Sequence, residues 1–270
     1  MLILKSILKL NHIQARKFCF NVDVFPALTD NYMYLLTHNE TKCCAAVDPV
    51  EPEKISSHIL KNNLNLTHIL ITHHHWDHSS GTNKLLSYFP GKEINVVGHD
   101  DRIEALNYKV QHRQLLQIGD TVVRCLLTPC HTIGHIMYFI ESKTNNFALF
   151  SGDTFFVAGC GRFFEGNAAD MYECIKTLTS LPLSTKIYCG HEYSIKNLEF
   201  SLSIDPLNED VQKKLIWAKK QASQDLVTVP TTLIEEMNTN PFLRSDKDHF
   251  KKITGENDPI LIIQILRNMK

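Results

Sequence analysis

The sequence predicts an α/β layered domain followed by a smaller all-helical one. Three observations carry this. Between about Cys19 and His191, short apolar runs alternate with helical stretches, the pattern of strands layered with helices. Beyond about residue 192 the strand-like runs stop, and helical stretches are punctuated by Pro206, Pro230, Pro241, Gly255 and Pro259, residues that break helices. The residues with the most chemical capacity also fall just after strands: Asp48, His73, His131, Asp153 and His191. Strand ends are where α/β folds carry their sites.

Taken in order, the expected strands are CFNVDVF, NYMYLLT, CCAAVD, THILIT, INVVG, TVVRCLLT, IMYFIE, NFALFSG and KIYCG. Each is strand-length and rich in apolar, aromatic or β-branched residues. Residues 52–63, 82–89 and 168–180 read as helices between them. In the second part, helices are expected over 193–203, 208–222, 230–238, 246–253 and 259–268. PILIIQIL in the last of these is apolar enough for a core helix. Residues 1–18 stand apart, so the expected divisions are 1–18, 19–191 and 192–270.

The chain has 270 residues, 43% of them hydrophobic, enough for a normal core. A formal net charge of -1 and a pI near 6.9 leave no basic excess to hold a phosphate backbone, so no nucleic-acid partner is expected. No uncharged apolar run reaches the length of a membrane span, and a membrane partner is not expected either. The eight cysteines form no CxxC and read as buried, reduced thiols of an intracellular protein. The segment MLILKSILKLNHIQARK lacks acidic residues, and Lys5, Lys9, His12 and Arg16 share one helical face. That resembles a mitochondrial transit segment. The matrix is the expected location, with the cytoplasm as the alternative, and a monomer is the default.

The stretch THHHWDH sets the chemistry. In an extended segment, residues two apart face the same way. His73 and His75 can therefore face one centre while His74 faces elsewhere. Asp77 and His78 follow once the chain has begun to turn and can face a second centre. His131 in TPCHTIGH, Asp153 in FSGDT and His191 in YCGHEY bring the candidates to seven nitrogen or oxygen ligands. Seven is too many for one tetrahedral zinc and suits two metals with a bridging carboxylate. His135 has the same chemistry as His131 but is expected to be structural, its strand aiming it away from the loop. Asp30 and Asp48 read as loop-fixing carboxylates.

THHHWDH, TPCHTIGH, FSGDTFFVAGCGRFFEG and YCGHEY together resemble the metallo-β-lactamase superfamily. They are most similar to its hydroxyacylglutathione hydrolase (glyoxalase II) family. The similarity covers about residues 20–270, including FPALTDNYMYL and NPFLR. The first motif is common to the superfamily; VAGCGRFFEG, GHEY and the helical tail are more specific.

The resemblance implies an αββα sandwich with a small all-helical C-terminal domain and a two-metal site. His73, His75 and His131 would hold one divalent cation and Asp77, His78 and His191 the other, with Asp153 bridging. Zinc is the first expectation, with iron and manganese as alternatives. The implied substrate is S-D-lactoylglutathione, giving D-lactate and glutathione. Residues implied to bind it are Arg162, Phe163, Phe164, His191, Glu192, Tyr193, Arg267, Asn268, Met269 and Lys270. Arg162 stands where the family usually has Lys, and Phe164 where it commonly has Tyr.

The chemistry agrees with a thioester. Two adjacent cations lower the pKa of a shared water to near neutrality, so hydroxide attacks and no side-chain nucleophile is expected. A thiol of pKa about 8.5 leaves without much protonation, so no dedicated acid is needed. The alternative is a persulfide dioxygenase of the same superfamily, which would need one iron held by two His and one carboxylate. A nuclease would want a basic groove, and a closed zinc-binding module only four ligands.

Overall fold

The structure, a computed structural model, describes residues 20–141 and 146–270. The expected transit segment and Cys19 lie outside them. Two sheets of six strands form the centre. The first runs in chain order: β1 (Phe20–Ala27), β2 (Asn31–His38), β3 (Cys43–Val47), β4 (Asn65–Leu70), β5 (Asn95–Gly98) and β6 (Tyr108–Lys109). The second is β7 (Leu115–Ile118), β8 (Thr121–Leu127), β9 (Ile136–Glu141) and β10 (Ala148–Gly152). A separate hairpin of β11 (Phe155–Phe156) and β12 (Gly159–Cys160) follows, and β13 (Lys186–Cys189) and β14 (Thr231–Thr232) complete the sheet.

Strand periodicity explains the layering. Side chains alternate across a strand, so each apolar run faces two cores. Tyr34, Leu36, Ala45 and Val47 of the first sheet meet Cys125, Tyr138, Ile140 and Phe150 of the second in the central layer. Tyr138 is wholly buried, and its hydroxyl donates to the carbonyls of Ile71 at 2.8 Å and Val97 at 3.1 Å, tying one sheet to the other. The alternate residues Met33, Leu35, Cys44 and Ala46 pack outward onto α1 (Pro52–Lys61) and α3 (Thr82–Ser87). A single-turn helix, α2 (Trp76–Ser79), precedes α3. On the far face, Met137, Phe139 and Leu149 pack against α4 (Ala168–Thr179). The architecture is the αββα sandwich.

The expected strands all form, with ends within a few residues. The strands the sequence did not announce, β6, β7, β11, β12 and β14, have four residues or two, too few to show a period. The C-terminal region consists of α5 (Ser194–Ile204), α6 (Glu209–Ala222), α7 (Leu233–Thr239), a 3-10 turn at Phe242–Arg244, α8 (Asp248–Thr254) and α9 (Pro259–Met269).

That region departs from the all-helical expectation in one place. Thr231 and Thr232 pair antiparallel with Lys186 and Ile187. The helix expected over 230–238 therefore starts at Leu233. Thr232 is extended and caps it, its hydroxyl accepting from the Glu235 amide while the Glu235 carboxylate reaches back, a capping box. Phe242, Phe250, Ile262, Ile263 and Leu266 complete the same core as Met171 and Leu178 of α4. None of the seven described cysteines is paired, and all but Cys43 are buried. Among the described residues no helix is long and apolar enough to cross a membrane.

Candidate metal centre and substrate cavity

β3 and β4 run parallel, as do β10 and β13. Their carboxyl ends point to the same edge of the sandwich, and each leads into a candidate residue: Asp48, His73, Asp153 and His191. Open α/β sheets place sites at this edge. The structure gathers the seven predicted ligands there. Ligand atoms of His73, His75 and His131 converge within 4.8 Å of one another, as do those of Asp77, His78 and His191. Asp153 lies between the two groups. One oxygen is 3.5 Å from His131 Nε2 and 3.4 Å from His191 Nε2, and the other is 3.5 Å from His78 Nε2. His74 points away, its Nδ1 3.3 Å from Asp100.

The outer nitrogens decide what the inner ones can do. His78 Nδ1 lies 2.9 Å from the Asp48 carboxylate and His191 Nδ1 2.9 Å from Asp30. His131 Nδ1 lies 3.0 Å from the Arg162 carbonyl. These oxygens only accept, so each Nδ1 carries the proton. The Thr72 hydroxyl donates to Asp48 at 2.7 Å and so accepts from His73 Nδ1 at 3.0 Å. His73, His78, His131 and His191 therefore all turn Nε2 inward, each with a lone pair for a cation once that nitrogen gives up any proton it holds. The inward nitrogens crowd one another: His78 and His191 Nε2 are 3.2 Å apart, and His73 and His131 Nε2 lie 3.0 and 3.1 Å from His75 Nδ1.

A further observation fits cations at this spot. Asp153 Oδ1 is buried and has no hydrogen-bond partner. A buried carboxylate oxygen without a donor is costly, and a cation between Asp153 and His78 would satisfy it. The titration pattern agrees. Burial and the neighbouring imidazoles push His73 well below its ordinary pKa and His75 down to about 4. At His78 burial is outweighed by Asp153, Asp48 and Asp77, which raise it to about 9. Without metal this is a proton site that a divalent cation would take over.

Gly190 is required beside it. A Cβ there would lie 2.2 Å from Asp153 Oδ1 and 2.8 Å from His78 Cε1. Asp48 holds a left-handed backbone, φ 47°, which Asp tolerates better than most residues. Its carboxylate accepts from the Thr72 amide and hydroxyl as well as from His78.

Three placements differ from the sequence reading. Asp30 and Asp48 orient ligands rather than merely shaping loops. His135 is not aimed away from the site: its ring stacks on His73, centroids 5.0 Å apart, and its Nε2 accepts from the Asp153 amide at 3.1 Å. It supports two ligands from beneath and joins neither metal-ligand group. Asn31, which the sequence reading passed over, donates to Asp77 at 3.0 Å. The one signal for it was its place beside Asp30 in the loop-to-strand segment.

Above the ligands opens a cavity of about 770 Å³. Of the predicted substrate residues, Arg162, Phe164, His191, Tyr193, Arg267, Met269 and Lys270 line it. Phe163 and Asn268 line an adjoining recess of about 410 Å³, shared with Arg162, Arg267 and Lys270. Glu192 lines neither. Its carboxylate is taken by the Tyr32 hydroxyl, by the Thr228 hydroxyl at 2.6 Å and amide at 3.2 Å, and by the Ser194 amide at 3.2 Å. It is a strut under the site and not a contact in it. Trp76, Phe156, Lys196 and Phe200 also line the cavity; Trp76 and Phe156 lie in elements of four and two residues, too short to show which way a side chain faces.

Arg267 donates to the Cys160 carbonyl at 3.0 Å. The Lys270 ammonium turns inward onto Asn197, and burial draws its pKa down to about 8. Tyr193 stacks on His191, 4.9 Å between centroids and 3° between planes, and burial pushes its hydroxyl up to about 12.

Residues 29–191 match the family model of the metallo-beta-lactamase superfamily, and residues 192–270 match that of the hydroxyacylglutathione hydrolase C-terminus. A hydroxyacylglutathione hydrolase-like protein of Gallus gallus is 45% identical over 92% of this chain and 89% of its own. The chain belongs to the hydroxyacylglutathione hydrolase family. A cytoplasmic hydroxyacylglutathione hydrolase of Arabidopsis thaliana is 45% identical over 91% of this chain and 96% of its own. Among solved structures, ETHE1 from Myxococcus xanthus superposes with a TM-score of 0.66 at 24% identity, covering 93% of this chain and 91% of that one. A likeness at that identity bears on the fold alone.

Proposed function

We propose that the chain hydrolyses S-D-lactoylglutathione and related 2-hydroxyacylglutathiones to the 2-hydroxy acid and glutathione. The observation that carries this is a floor of two facing ligand groups around the unpartnered Asp153 oxygen, beneath a cavity walled by Arg162, Arg267 and Lys270. His73, His75 and His131 would hold one divalent cation, and Asp77, His78 and His191 the other, with Asp153 shared. Zinc is the first choice for a nitrogen and oxygen set of this kind. Two such cations supply a nucleophile from water at neutral pH and polarise a carbonyl.

The chain's own residues do the rest. Asp48, Asp30 and the Arg162 carbonyl hold the imidazoles in the tautomer that presents lone pairs inward. Arg162, Arg267 and Lys270 offer cations to the two peptide carboxylates of glutathione. Tyr193, neutral at physiological pH, offers a hydroxyl on the same wall. Among the described residues the carboxylates lining the cavity are Asp77 and Asp153, both in the candidate ligand set, and a thiolate leaves without a dedicated acid.

The test is steady-state hydrolysis of S-D-lactoylglutathione by the full chain, with metal analysis on the same sample. Turnover with close to two metals per chain is expected. Oxygen uptake on glutathione persulfide with a single iron would contradict the reading. The basic, acid-free segment before residue 19 supports the mitochondrial matrix as the location. A fluorescent fusion confined to the cytosol would contradict that.

A further inference from the structure

One ion network outside the ligands joins three of the loops that build the site. Arg102, in the loop after β5, sends its guanidinium in two directions. Nε and Nη2 donate to Asp100 at 2.9 and 2.7 Å, and Nη1 and Nη2 donate to the two Glu165 oxygens at 2.6 and 2.8 Å. Asp100 in turn is 3.3 Å from Nδ1 of His74, which sits between His73 and His75. Glu165 accepts from the Ile133 amide at 2.8 Å, two residues past His131. The fit is close: a Cβ on Gly134 would lie 2.5 Å from Asp100 Oδ2.

Glu165 directly follows Phe164. The Phe164 ring stands over the metal-centre histidines, 5.2 Å from His131 and 5.8 Å from His75 between centroids. It is 60% exposed, so packing holds it on one side only. Residues 161–167 belong to no helix or strand, and no ladder of backbone bonds fixes them. The ends of this segment are tied down, Gly161 to the Thr154 carbonyl and Asn167 to Cys130 and Asp170, and Phe163 packs on the core. Between those ends the polar anchors are the Arg162 carbonyl on His131 and the Glu165 carboxylate on Arg102 and Ile133. A planar five-donor fork can serve both carboxylates at once; an ammonium cannot match that geometry.

We propose that Asp100, Arg102 and Glu165 form a positioning clamp that sets the cavity wall of Arg162 and Phe164 against the metal centre, and so governs affinity for the peptide part of the substrate. The proposal rests on the acylglutathione reading above. Neither Arg102 nor Glu165 lines the main cavity, so both act through the wall they hold.

The test uses Glu165→Gln and Arg102→Lys in the full, metal-loaded chain, on two thioesters: S-D-lactoylglutathione and the truncated S-D-lactoyl-N-acetylcysteamine. Each variant should raise KM for the glutathione thioester about tenfold and leave kcat within about twofold. Metal content and kcat/KM on the truncated thioester should match wild type. The double variant should be no worse than either single one, as expected for partners in one contact. An unchanged KM in both single variants overturns the clamp. So does an equal loss on both thioesters, which marks general structural damage. Wild-type enzyme inactive on both thioesters removes the acylglutathione reading and the clamp with it.

Discussion

On the floor of the cavity His73, His78, His131 and His191 are buried, and each outer nitrogen already meets a fixed acceptor. On the wall, Arg162 and Phe164 are exposed and are held through their backbone and through a neighbour. Arg267 is half-buried and Lys270 exposed, and both side chains are anchored, to the Cys160 carbonyl and to Asn197. On the proposed reading the difference separates two jobs: a preorganised floor for the chemistry, whose imidazoles cannot turn without breaking an outer bond, and a wall of long cations that would select the carrier. Damage to the floor should appear in metal content and kcat, and damage to the wall in KM.

The largest effect should come from Asp153→Ala, which removes the shared carboxylate: turnover is abolished and metal analysis falls below two per chain. Activity retained with two metals bound would assign the bridge elsewhere. Next in size is Asp48→Asn. It keeps the shape and tolerates the left-handed backbone, but loses the carboxylate behind His78. Metal affinity should weaken about 10- to 100-fold, read by competition with a chelator, while KM stays near wild type.

On the wall, Arg267→Ala with Lys270→Ala should raise KM for acylglutathione about tenfold or more, with kcat little changed. An unchanged KM would reduce the tail to a helix end.

The smallest effect is on the stability of the metal-free chain. His73, His75, His131 and His135 are held below their ordinary value, chiefly by burial, with His75 near 4. The unfolded chain therefore takes up protons near 6.5 that the fold refuses. Stability falls as pH drops from about 6.5 towards 4. His78 has the opposite sign: raised to about 9, it binds a proton in the fold that the unfolded chain lacks, and that stability is lost as pH rises through about 9. The melting temperature of metal-free protein should peak between these limits. Zinc, by taking the place of the His78 proton, should remove the alkaline limb. A metal-free Tm flat from pH 5 to 9 would contradict both assignments.

The contrast between floor and wall also marks what was legible in the sequence. The convergence of the candidate ligands could be read because extended HHH alternates sides and because Asp153 and His191 follow apolar strands. The roles of Asp30, Asp48 and Asn31 could not, since a carboxylate behind an imidazole is set by the meeting of two distant strand ends, as in Asp48 and His78. Glu192 shows the same limit: it sits beside His191 in sequence, but its carboxylate faces Tyr32 and Thr228. Strand-end position alone could not show that His135 stacks under His73. In the C-terminal region prolines marked the breaks correctly, but two threonines joining a sheet edge leave no periodic trace.

The central claim is that two metals share Asp153 beneath a wall specific for glutathione thioesters. Titration of metal-free protein with zinc, followed by S-D-lactoylglutathione turnover at each step, tests it most directly. Activity should reach its maximum close to two equivalents. Full activity at one equivalent, or none at two, would contradict it.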